Sequence, residues 1–93
     1  MRVTIIGIVV MDNETLEYVQ RSKYRQNVLK ALENEVLMPK EIAERSDIKT
    51  NYVSKVLSEL RSKELIEVLD DSVRKGRLYR LTDVGEEIVD ILK

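Results

Sequence analysis

A proline-started helical stretch, a four-residue polar turn and a longer amphipathic stretch, in that order, constrain this chain more than anything else in it. Met38-Pro39-Lys40-Glu41-Ile42-Ala43-Glu44-Arg45 puts proline at the first helical position, where its missing N–H costs nothing, and offers Ile42 and Ala43 for burial. The predicted helix is short, covering 39–45. Ser46-Asp47-Ile48-Lys49 then makes a tight turn, and Thr50 is the expected N-cap of a helix running over 50–63. Two helices joined so closely suggest a helix-turn-helix.

In the longer helix Val53, Val56, Leu57 and Leu60 fall on one stripe when residues are placed about 100° apart. The opposite line reads Asn51, Lys55, Ser58 and Ser62, flanked by Tyr52 and Glu59 on one side and by Ser54 and Arg61 on the other. Its most outward positions hold no carboxylate, which permits an approach to DNA. Lys55 and Arg61 read equally as solvated helix residues, and Asn51 as either a first-turn preference or an adenine-reading side chain.

On the amino-terminal side, the segment 14–33 reads as helical with a bend near 21. Asp12-Asn13-Glu14 can cap a short helix carrying Leu16, Val19 and Gln20, and Ser22 starts a second one. In that second helix Tyr24, Val28, Leu29 and Leu32 have helical spacing, leaving Lys23, Arg25, Gln26 and Lys30 for solvent. Asn34 tolerates the left-handed conformation that ends a helix. On the other side, Leu65–Leu69 and Arg77–Leu81 read as the strands of a hairpin over 65–81, with Tyr79 and Leu81 on its inner face. Its tip, Asp70-Asp71-Ser72-Val73-Arg74-Lys75-Gly76, is charged. Thr82 caps a last helix over 82–92, whose apolar stripe is Val84, Ile88 and Ile91, with Val89 and Leu92 beside it.

The run Val3-Thr4-Ile5-Ile6-Gly7-Ile8-Val9-Val10-Met11 is too short to span a bilayer, and its β-branched content predicts an N-terminal strand over 1–11. With both faces apolar it needs cover on two sides, either across a homodimer or along its own domain. The 93 residues suffice for one domain. Neither cysteine nor histidine occurs, which removes thiolate metal sensing, cysteine nucleophiles and histidine acid–base chemistry. The expectation is a cytoplasmic protein that is not an enzyme and has no cofactor, no metal and no membrane contact. Nothing in the sequence supports a small-molecule effector.

Four pieces in register resemble archaeal winged helix-turn-helix transcriptional regulators of the MarR and ArsR-like kind. They are Arg21-Ser22-Lys23-Tyr24-Arg25 with Val28-Leu29, Pro39-Lys40-Glu41-Ile42-Ala43, Val53-Ser54-Lys55-Val56-Leu57-Ser58-Glu59-Leu60, and Lys75-Gly76-Arg77-Leu78-Tyr79-Arg80-Leu81-Thr82 with Gly85. The resemblance spans 21–92 and implies an α+β fold: a three-helix core, a two-stranded β-hairpin wing and a C-terminal helix, here with the extra N-terminal strand. It also implies a third helix in the major groove and a wing on the backbone or in the minor groove. Thr50, Asn51, Tyr52, Ser54, Lys55 and Ser58 then face base edges or phosphates, and Arg74, Lys75 and Arg77 the backbone. The chain departs from the pattern at Met38, where Ser or Thr is usual, and at Asp47 and Glu64, where glycine is usual. A left-handed Glu64 would be strained by about 1 kcal/mol, so a different exit from the third helix is expected.

Charge is distributed unevenly beneath a net of -1. Residues 49–80 carry eight basic against five acidic side chains, a local +3, whereas 81–93 carry Asp83, Glu86, Glu87 and Asp90 against Lys93, a local -3. The expected function is sequence-specific binding of double-stranded DNA by a homodimer, repressing by occlusion, with two recognition helices reading half-sites one turn apart. The candidate dimer surfaces are the amino-terminal strand and a layer of 14–20 with the last helix. The competing expectation is a winged helix that binds proteins within a larger assembly, since that fold serves both ends.

Overall fold

The computed structural model describes residues 3–6, 9–69, 72 and 76–93, with side chains from Asn13 onward. Its elements in order are β1 (Val3–Ile6), β2 (Val9–Asp12), α1 (Asn13–Gln20), α2 (Lys23–Ala31), α3 (Pro39–Ser46), α4 (Thr50–Ser62), β3 (Ile66–Val68), β4 (Tyr79–Leu81) and α5 (Asp83–Leu92). The expectations for Arg74 and Lys75 at the wing tip lie outside the described residues.

Helices α2, α3 and α4 enclose a core made of Val28, Leu29, Leu32, Ile42, Val53, Leu57 and Leu60, all buried, with Val19 of α1 joining from one side. Ser22 opens α2 by accepting the Arg25 N–H at 3.3 Å, and this cap produces the bend after α1. At α3 Pro39 takes the first position and the Glu41 carboxylate reaches back to the Met38 N–H at 2.9 Å. Thr50 is not the N-cap of α4. Lys49 holds that place, in extended conformation and without a side-chain bond, while its carbonyl accepts from Tyr52 and Val53.

Three further expectations are corrected. The amino-terminal run is two strands rather than one, paired antiparallel from Val3↔Asp12 to Ile6↔Val9, and β2 lies against α5 and α1. Each strand thus satisfies the backbone donors and acceptors of one edge within the run, where a lone strand would have sought partners elsewhere for both. Tyr24 is 46% exposed rather than part of the core. Its place at the open start of α2 puts it beyond the layer that covers Val28 and Leu29. In α5 the buried residues are Gly85, Ile88 and Val89, with Leu92 partly covered, whereas Ile91 is exposed. The buried face therefore runs at i, i+3, i+4 and i+7 from Gly85, about one position away from the stripe the apolar residues alone suggested.

The wing sheet pairs Ile66↔Leu81, Glu67↔Arg80 and Val68↔Tyr79. Tyr79 and Leu81 face the core, as the alternation predicts. A third segment that the sequence did not reveal joins at the other edge of β4, where Leu37 and Tyr79 exchange both backbone hydrogen bonds at 3.0 and 2.8 Å.

Glu64 adopts the left-handed conformation after all, with φ 60°, as Asn34 and Asp47 do at 59° and 58°. Thr82 explains how. Its hydroxyl donates to the Glu64 carbonyl at 2.7 Å, and its backbone N–H donates to the Leu65 carbonyl at 3.0 Å. The exit from α4 is fixed from outside at the expense of local strain. Glu64→Gly should therefore raise the unfolding free energy by about 0.5–1 kcal/mol, read as a higher urea midpoint with unchanged slope.

Candidate nucleic-acid interface

The turn between α3 and α4 sets the presentation of α4. Asp47, left-handed, ends α3, and Ile48 drops into the core with its N–H on the Ala43 carbonyl at 3.1 Å. The buried Ser46 hydroxyl is spent on the Ile42 carbonyl at 2.6 Å. With Val53, Val56, Leu57 and Leu60 buried, the remaining face of α4 turns outward. Thr50, Asn51, Tyr52, Ser54, Lys55 and Ser58 are all exposed, so six of the positions named from the sequence share one surface of one helix.

The wing root meets that surface. Arg77, half-buried, lines a groove of about 210 Å³ together with Ser54, Ser58 and Arg61 of α4, and with Pro39 at the start of α3. Arg61 thereby joins the site. In the sequence it was the cation flanking the outward line, and its i, i+3 and i, i+7 relation to Ser58 and Ser54 was the available signal.

Electrostatics favour the same side. Arg80 pairs with Glu67 at 2.7 Å, Arg45 with Glu35, and Lys93 with Glu33 and Asp90. The hydrogen bond that Arg45 donates to Glu35 raises its guanidinium above its ordinary value, and the bond to Glu33 does the same for the Lys93 ammonium. These cations are engaged in ion pairs within the fold. By contrast, Lys49 and Lys55 form no ion pair among the described residues. Glu59, the carboxylate nearest the outward line of α4, is held at 3.3 Å by Arg25.

Arg25 does more than its place in the sequence suggests. Expected to face solvent, its side chain is 18% exposed, donates to the Tyr18 carbonyl at 2.8 Å and lies 3.7 Å above the Tyr18 ring centroid. It ties α1, α2 and α4 together behind the exposed face. A wider open groove of about 890 Å³, over β3 and the start of α5, is lined by Glu64, Glu67 and Asp83 together with Arg61 and Arg80, a mixed charge rather than a basic one. No cluster of metal-ligating side chains occurs among the described residues, and none of the described helices is long and apolar enough to cross a membrane.

A helix-turn-helix whose second helix stands beside a two-stranded hairpin defines a winged helix, and this α+β fold matches solved MarR-type structures. One is Bordetella bronchiseptica BpsR, whose DNA binding is described as regulated by 6-hydroxynicotinic acid. It shares 20% identity at a TM-score of 0.71 over 86% of this chain and 67% of its own. A MarR family transcriptional regulator from Silicibacter pomeroyi gives 18%, 0.69, 86% and 60%. Lactococcus lactis ZitR, solved in complex with DNA, gives 22%, 0.64, 74% and 48%. This chain therefore spans about half to two-thirds of the length of these proteins. Neither a protein-family model nor a curated protein matches the sequence.

Proposed function

We propose that this chain is a sequence-specific double-stranded DNA-binding transcriptional regulator that represses by occlusion, with α4 in the major groove and the wing on the backbone or in the minor groove. The observation that carries this reading is the outward face of α4, exposed from Thr50 to Ser58, free of carboxylate and continuous with the groove that gathers Arg61 and Arg77. Phosphate contacts supply most of the affinity in such complexes, and a surface built this way meets them with cations at both edges. The DNA complex of ZitR supports the reading, since a protein of the same fold is bound to DNA in that structure.

A two-fold dimer is part of the proposal because one helix and one wing make few contacts. The hairpin favours β1 as the joining edge: among the described residues β1 is paired only with β2. The last helix contributes less than the sequence suggested, because Ile88 and Val89 are used in its own core.

The deciding measurement is fluorescence anisotropy of a labelled random-sequence duplex titrated with protein at several salt concentrations. Micromolar binding that falls steeply with salt is expected. Absence of binding at low salt would transfer the surface to a protein partner. Once an operator is known, Asn51→Ala should cost about 1–3 kcal/mol on it while leaving random DNA unaffected. Equal losses on both would remove Asn51 from base readout.

A further inference from the structure

Tyr24 and Tyr52 are each 46% exposed, yet their ring centroids lie 5.8 Å apart at an interplanar angle of 50°. Such a tilted contact fixes both rings against each other while solvent still reaches them. Neither hydroxyl has a hydrogen-bond partner among the described residues. The pair joins the second residue of α2 to the third residue of α4, so an aromatic patch bridges the starts of two helices.

The charge around this patch departs from the rest of the molecule. Glu14 lies in the first turn of α1, Glu41 in that of α3, and Asp83 and Glu86 in that of α5. Only α2 and α4 have no acidic residue there. A carboxylate in a first turn is ordinarily stabilising, and these two helices carry exposed Lys23 and Lys49 at their starts instead. Neither lysine forms an ion pair among the described residues. Glu59, on the flank of α4, is engaged by Arg25, while Asp47, two residues before Lys49, is exposed in the turn. Two phenols and two ammonium groups thus gather hydrogen-bond donors at the starts of α2 and α4, contiguous with the outward face of α4.

We propose that Lys23, Tyr24, Lys49 and Tyr52 grip a backbone phosphate of duplex DNA beyond the segment that α4 reads, extending the contact surface onto α2. The proposal rests on the DNA-binding reading above. It assigns Tyr24 and Lys23 a purpose that the core packing of α2 does not supply, because neither is buried in it. The complementary group is an anion with several acceptor oxygens, and a phosphodiester takes the phenol and ammonium donors together.

The test is the double variant Lys23→Gln with Tyr24→Phe, in which the ring pair is kept and only donors and one charge are removed. Anisotropy titrations over a salt series compare it with the wild type and with Lys55→Ala. Affinity should fall about tenfold for every duplex alike, and the salt slope by about one, with an unchanged melting temperature. If Lys55→Ala weakens binding but the double variant matches the wild type, the α2 contact is wrong and the DNA reading stands. If the wild type binds no duplex at low salt, both fall. Competition by inorganic phosphate at matched ionic strength would assign the patch to a free anion and overturn the duplex contact.

Discussion

Gly85→Ala should lower the unfolding free energy by about 2–3 kcal/mol, although alanine is ordinarily the better helix residue by about 1 kcal/mol. The sign reverses because of what lies beside this glycine. A Cβ built there runs into the Leu65 backbone carbonyl and comes within 3.3 Å of Leu81 Cδ2. The obstacle is backbone, so no rotamer change relieves it. That carbonyl is already committed, accepting the Thr82 N–H at 3.0 Å, and Thr82 also caps α5 through the Gly85 N–H at 3.1 Å. The first turn of α5, the end of β4 and the exit of α4 therefore meet with no spare space, and one methyl must push α5 away from all of them. Urea unfolding should show a lower midpoint with unchanged slope, and Thr82→Ala should lose only about 1 kcal/mol beside it. A neutral or stabilising Gly85→Ala would show that α5 is not held at this distance.

The same junction explains an expectation that failed. Asn34 and Asp47 were legible as left-handed positions because their short polar side chains tolerate that conformation. Glu64 was expected to avoid it, and a sequence cannot show that Thr82, 18 residues later, donates to the Glu64 carbonyl. Local propensity lost to a tertiary hydrogen bond. Arg25 repeats the lesson, since its partner Glu59 is 34 residues away and its charge alone places it in solvent. Tyr24 erred in the opposite direction: it sits at the edge of the helical stripe, and periodicity does not reveal which end of a stripe lies beyond the core. The amino-terminal run contained its own signal, because Gly7 followed by one residue between two β-branched stretches is a hairpin pattern, and Ile6 pairs with Val9 on either side of it.

The candidate interface was more legible than the core. Binary patterning fixes which side of α4 is buried, so the outward residues follow from four apolar positions. What could not be read was convergence. Arg77 and Arg61 are 16 positions apart, and their common groove with Ser54 and Ser58 depends on the angle between wing and helix, which no local pattern encodes.

That convergence makes the largest functional prediction. In Lys55→Ala, Arg61→Ala and Arg77→Ala combined, three cations leave the face of α4 and the wing root. Each phosphate contact contributes about 0.9 to the slope of log affinity against log salt, so the slope should fall by roughly three and affinity for random duplex by roughly two orders of magnitude at 0.1 M salt. The three residues lie outside the buried core, so the fold should survive, which a melting curve checks. A smaller change in slope carries information of its own. Loss of affinity with an unchanged slope would mean that the arginines shape the groove without neutralising phosphate, leaving Lys49 and the α2 patch as the electrostatic contact. An unchanged affinity and slope would mean that this face of α4 does not meet DNA at all, because the three substitutions remove the cations of its outward line, its flank and the adjoining wing root together.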